Sequence, residues 1–133
     1  MPAETPELPR PTEAEMAILR ALWKKHPATV RDVLAAINET RDPPLAYTTV
    51  LKFMQIMTEK GLVVRDDKGR THSYSPSVPA EQTQQQMVGD LLHRVFEGSI
   101  SQLVLQALGT SRISQAEALE IRNLLDQQTH AKA

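Results

Sequence analysis

The chain contains no cysteine. That absence excludes disulfides, thiolate zinc sites and cysteine nucleophiles together. No apolar run approaches the ~18 residues of a membrane span. The opening residues, Met1-Pro2-Ala3-Glu4, carry neither the basic start nor the apolar stretch of a signal peptide. The expectation is a cytoplasmic protein with no membrane partner. Strong charge of either sign is also missing. The formal net charge is −1 over 133 residues, so bulk charge does not announce a nucleic-acid partner. Residues 1–78 hold 11 Lys and Arg against 10 Asp and Glu, and residues 79–133 hold 4 against 6. What matters for DNA is local clustering, and basic residues gather in one stretch, from Lys60 to Arg70. There is no internal repeat.

Hydrophobic residues make up 41% of the sequence, enough for a core in one domain or in a small domain with an appendage. Residues 1–11 carry Pro2, Pro6, Pro9 and Pro11 and read as a flexible N-terminal arm. Thr12 and Glu15 form a capping box that starts a first helix. Its apolar face is Ile18, Leu19, Leu22 and Trp23, and His26-Pro27 ends it. The sole tryptophan, Trp23, is expected to be buried there. A second helix starts near Thr29, with Val30, Val33, Leu34 and Ile37 as its stripe. A third runs from about Leu45 to Lys60, with Gly61 at the expected stop. Stepping 100° per residue places Ala46, Phe53, Met54 and Met57 beside Val50 on a buried face. The opposite face reads Thr48, Lys52, Gln55 and Glu59. Leu62–Arg65 and His72–Ser75 then read as a β-hairpin, with Gly69 supplying the positive φ of a tight turn.

After Pro76 and Pro79 the strand formers vanish. A fourth helix is expected over about Ala80–Glu97, broken by Gly98. A fifth runs from Ser99 to Gly109, and a sixth begins with a second capping box, Ser114 and Glu117. The organisation is thus mainly α with a small β-hairpin. Residues 12–78 are expected to form a winged helix-turn-helix DNA-binding domain, and residues 79–128 a helical dimerisation domain.

In such a domain the third helix enters the major groove. Thr48 and Thr49 can bond bases or phosphates or touch a thymine methyl, Lys52 can reach a guanine edge or a phosphate, and Gln55 can pair with adenine. Tyr47 can stack on sugar or bond a phosphate. Lys68 and Arg70 at the hairpin tip would lie along the backbone, where they add affinity without reading sequence. The bland alternatives are a solvated helix face and a basic tip that only aids solubility, and Glu59, Asp66 and Asp67 would repel phosphate. In the tail, the fifth helix is apolar almost all round, as a helix buried on most sides would be. Pairing with a second copy accounts for this better than folding back onto the winged domain. Leu91, Val95, Ile100, Leu103, Val104, Leu108, Leu124 and Leu125 are the candidate dimer residues. A twofold homodimer would present two recognition helices to a palindromic site.

Two other classes compete. For an enzyme, His26, His72, His93 and His130 are scattered, and no nucleophile–base pair or phosphate-binding glycine loop is visible. Asp90, His93 and Glu97 could share a helix face as metal ligands, but a solvated surface is the commoner meaning of such a triplet. The expectation is no catalysis, no metal and no cofactor. A winged helix can also serve as a protein-interaction module without reading DNA, and the weak net charge is that reading's best support.

Several segments in order carry a family resemblance. They are Pro11-Thr12-Glu13-Ala14-Glu15 with Leu22-Trp23; Ala28-Thr29-Val30-Arg31-Asp32-Val33; Ala46-Tyr47-Thr48-Thr49-Val50; Glu59-Lys60-Gly61-Leu62-Val63; and Gly69-Arg70 with Tyr74-Ser75-Pro76. With the stretch from Leu103 to Leu108 and the Leu124-Leu125 helix, the sequence resembles the penicillinase-repressor family, the BlaI/MecI/CopY type of bacterial regulator, over roughly residues 11–126. The resemblance implies a homodimeric winged-helix repressor on an inverted-repeat operator. Thr48, Thr49 and Lys52 would read the DNA, and the Lys68–Arg70 tip would be the wing. It also implies an upstream sensor or protease pathway, because in the beta-lactam branch cleavage of an Asn-Phe bond releases the DNA. Gln106-Ala107 stands at the corresponding place, so that bond is not matched. The cysteine motif of the copper-responsive branch is absent.

Overall fold

The computed structural model describes residues 10–131. Its elements are α1 (Glu13–Lys24), α2 (Val30–Asn38), α3 (Tyr47–Lys60), β1 (Val63–Asp66), β2 (Ser73–Pro76), α4 (Ala80–Phe96), α5 (Ile100–Thr110) and α6 (Gln115–Ala131). The fold is mainly helical, and three helices followed by an antiparallel two-stranded ribbon make a winged helix-turn-helix. The expected N-terminal arm falls almost wholly on residues 1–9, outside the described residues. The chain divides into two compact units, with the division inside α4 between Val88 and Gly89.

Local chemistry starts the first two helices and stops the third. Thr12 accepts from the Glu15 N–H at 3.3 Å while Glu15 accepts from the Thr12 N–H at 2.9 Å, the expected capping box. α2 opens with a second box that the sequence reading missed. Thr29 and Asp32 exchange the same pair of bonds, both at 3.1 Å, with Asp in the role usually given to Glu or Gln. α3 begins two residues later than expected, at Tyr47, so Ala46 is its exposed N-cap and does not join the buried face. The helix closes as expected at Gly61, whose φ of +84° suits a residue without Cβ. The Leu62 N–H then donates back to the Met57 carbonyl at 2.9 Å, and Leu62 turns into the core.

That core joins Ile18, Leu19 and Leu22 of α1, Val30 and Val33 of α2, Val50, Met54 and Met57 of α3, and Leu62, Val63 and Tyr74 of the ribbon. Each large side chain buried this way contributes about 1.5–3 kcal/mol. Trp23 departs from its expectation. It is only half-buried at the edge of this cluster, and its indole N–H is enclosed without a hydrogen-bond partner among the described residues.

The ribbon pairs Val63 with Pro76, Val64 with Ser75, Arg65 with Tyr74 and Asp66 with Ser73. Tyr74 also exchanges two backbone bonds with Ala28, at 2.8 and 3.0 Å, fastening the wing to the segment before α2. The connection over residues 67–72 is wider than the tight glycine turn expected, and Gly69 does not adopt a positive φ. The Asp66 side chain turns the chain instead, accepting from the Lys68 N–H at 2.9 Å.

In the second unit, Glu97 and Gly98 leave α4 with φ of +51° and +85°, so Gly98 ends that helix as expected. Ser99 caps α5 through the Gln102 N–H. α5 continues past the expected stop at Gly109 to Thr110, Gly109 keeping helical geometry. Ser114 accepts from the Glu117 N–H at 3.0 Å, forming one half of the expected second box. No residue from Gly89 to His130 is buried.

Candidate nucleic-acid interface

α3 is two-faced. Val50, Met54 and Met57 are sealed in the core, while Thr48, Lys52, Gln55 and Glu59 are all exposed. At about 100° per residue those four fall within a stripe about 60° wide. The first turn of α3 contains no acidic residue, and Glu59 sits at the far end, one turn beyond Gln55, so Tyr47–Gln55 presents hydroxyl, cation and amide without a repelling carboxylate. Thr49 is half-buried and Tyr47 exposed, each about 100° to one side of Thr48.

Two contacts orient this helix. The Asn38 amide donates to the Leu45 carbonyl at 3.1 Å and accepts from the Leu45 N–H at 2.9 Å, closing the turn between α2 and α3. At the other end, Lys60 reaches both carboxylate oxygens of the buried Glu15. Lys60 lies within the basic stretch of the sequence, but its charge serves the scaffold. Arg65 is likewise engaged, with Nε 2.8 Å from Asp67 Oδ1, an oxygen that also lies 2.7 Å from His72 Nδ1. Asp66 and Asp67, expected to repel phosphate, are thus held in local bonds. Lys68 and Arg70 stand exposed on the connecting loop of the wing, with no ion pair among the described residues. The sequence reading gave Arg31 no role. Its guanidinium carbon lies 5.3 Å from the Tyr47 ring centroid, a cation–π pair.

The penicillinase repressor family's sequence model matches residues 11–127. The chain belongs to this family. The family is one of DNA-binding transcriptional repressors, not of enzymes, and this member is a bacterial-type repressor of that class. "Transcriptional regulator BlaI" of Mycobacterium tuberculosis (strain ATCC 25618 / H37Rv) is 31% identical over 120 residues, spanning 90% of this chain and 85% of that one. "Penicillinase repressor" of Bacillus licheniformis is 21% identical over 128 residues, spanning 95% and 97%. The solution structure of the monomeric form of Bacillus licheniformis BlaI in complex with the blaP half-operator aligns with a TM-score of 0.48 at 19% identity, covering 56% of this chain and 89% of that one.

The tail of this family member places its candidate dimer residues at the surface of the single chain. Leu91, Val95, Ile100, Val104, Leu108, Leu124 and Leu125 are exposed, and Leu103 is half-buried. Ile100 is 67% exposed and Val95 62%, unusual for aliphatic side chains so close in sequence. Gln106 and Ala107 lie exposed within α5. Asp90, His93 and Glu97 do not form a metal-binding group: Asp90 pairs with Arg94 at 3.3 Å, and Glu97 has left the helix. Among the described residues no helix is long and apolar enough to cross a membrane.

Proposed function

We propose that this repressor acts in the cytoplasm as a homodimer on a palindromic promoter operator. In this reading residues 12–78 bind DNA and residues 79–128 dimerise. Thr48, Thr49, Lys52 and Gln55 read base edges from α3, and Tyr47 contacts sugar or phosphate. Lys68 and Arg70 on the wing hold the backbone. The observation that carries the reading is the polar stripe on α3, an exposed hydroxyl–cation–amide edge on a helix whose other face is locked into the core. A major groove admits one such helix, and a well-placed pair between side chain and base is worth about 1–3 kcal/mol of discrimination.

The exposed aliphatics of α4, α5 and α6 support the homodimer, because a second copy covering them would remove them from water. An upstream sensor or protease pathway is the signal this family suggests. The Asn-Phe bond cut in the beta-lactam branch is not matched, since Gln106-Ala107 stands at that place.

The test compares Lys52→Ala with the double variant Lys68→Ala/Arg70→Ala on operator and random DNA. Lys52→Ala should lose preference for the operator while keeping fold and oligomeric state. The wing variant should weaken both DNAs about equally and reduce the salt dependence. Equal weakening on both DNAs by Lys52→Ala would contradict its reading role.

A further inference from the structure

We infer that Arg31 and Tyr47 act as one clamp on the DNA backbone, with Arg31 held on the Tyr47 ring so that its guanidinium meets a phosphate at the edge of the groove α3 enters. The inference rests on α3 being the recognition helix. Arg31 lies in the first turn of α2 and Tyr47 in the first turn of α3, and the 5.3 Å stack joins those two turns. Tyr47 sits about 100° round the helix from Thr48. Arg31 itself belongs to α2, the helix that crosses the backbone while α3 enters the groove, so its guanidinium meets the groove edge, where the phosphates are.

The charge of Arg31 is committed to nothing else. Lys60 serves Glu15, Arg65 serves Asp67, and Arg94 serves Asp90. Arg31 makes no hydrogen bond or ion pair among the described residues, although it is exposed. Its neighbour Asp32 is turned away into the α2 cap, accepting from the Thr29 N–H at 3.1 Å. Five guanidinium N–H donors in a planar fork therefore remain for a ligand, and that fork matches a phosphate. The cation–π contact restrains the guanidinium before DNA arrives, which lowers the ordering cost of binding. Lysine could supply the charge but not the planar fork.

The experiment measures operator affinity across a salt series for wild type, Arg31→Gln, Arg31→Lys, Tyr47→Leu and the double variant Arg31→Gln/Tyr47→Leu, with thermal melting as the check on folding. Arg31→Gln should lose affinity on the order of tenfold, as for one charge-assisted contact. It should also lower the salt slope by about 0.9, the release expected for one phosphate. Arg31→Lys should keep the slope and lose part of the affinity. In the Tyr47→Leu background, Arg31→Gln should cost much less than it does alone, the coupling expected of a clamp. An unchanged slope with additive losses would overturn the inference while leaving α3 as the reading helix. No competitor-resistant binding by wild type would instead overturn the operator reading on which it rests.

Discussion

Lys60 grips both carboxylate oxygens of Glu15, at 3.0 and 2.9 Å, and so ties the last turn of α3 to the first turn of α1. The Glu15 side chain is 2% exposed and that of Lys60 35%. Burial alone pushes the Glu15 carboxyl up, but the Thr12 N–H and then Lys60 outweigh it and hold it below the usual value. A carboxyl depressed in the folded state contributes stability above its unfolded value, about 4.3, and loses that contribution as pH falls through the folded value. Glu15→Gln should therefore cost about 1–2 kcal/mol at pH 7, discounted because Lys60 keeps part of its hydration. The difference should shrink as the medium is acidified from pH 5 toward pH 3. Urea unfolding midpoints for both proteins at several pH values check this; a gap that stays constant to pH 3 would contradict it.

Asn38 closes the turn that aims α3. Its amide makes two bonds to the Leu45 backbone, and the other residues between α2 and α3 are exposed. Asn38→Ala should lower stability by about 1–2 kcal/mol, the cost of leaving two half-buried backbone groups unpaired. Operator affinity at a temperature where the variant is fully folded should fall as well, because the recognition helix loses its fixed angle. Undiminished affinity in the folded variant would show that the turn does not set that angle.

Trp23 is a half-buried ring whose enclosed N–H has no hydrogen-bond partner among the described residues. It lines a shallow cleft of about 440 Å³ with His26, Pro76, Val78 and Pro79. Trp23→Ala should cost about 1–3 kcal/mol, less than the 3–5 expected of a wholly buried ring. Trp23→Phe should cost under about 1 kcal/mol, since it removes a donor that gains nothing in the folded state. Thermal melts of the three proteins decide it. A Phe variant as damaged as the Ala variant would mean the indole N–H is satisfied in solution.

The exposed aliphatics of the tail lead to a mass prediction. Wild type should sediment as a dimer at micromolar concentration, and Leu108→Asp or Val104→Asp should sediment as monomers with the winged helix still folded. Monomeric wild type at the same concentration would remove the dimer from the account.

Local chemistry was legible in the sequence, and long-range chemistry was not. Thr12 with Glu15, Gly61 and Gly98 are signals a few residues long, and the structure places each as expected. The alternation of Val50, Met54 and Met57 with Thr48, Lys52 and Gln55 needs only the helical period, so the two faces of α3 were readable too. Thr29 with Asp32 was missed because the shorter acid makes a less familiar box. Gly69 misled because the neighbouring Asp66 can bend the chain with its own side chain, and no left-handed residue was needed. Lys60 looked like part of a basic patch because its partner Glu15 lies 45 residues away. Arg31 went unread for the same reason: its stack on Tyr47 joins two helices and leaves no periodic trace. Of the candidate site, the reading stripe was visible, while the division of the cations between scaffold and surface required the fold.

The most direct test of the central claim is binding of the purified protein to DNA from its own upstream region, across a salt series and against nonspecific competitor. A repressor that reads its operator through α3 gives a shift that survives competitor, saturates at two subunits per site and weakens steeply with salt. Binding that competitor abolishes at every salt concentration would contradict a sequence-reading role for α3.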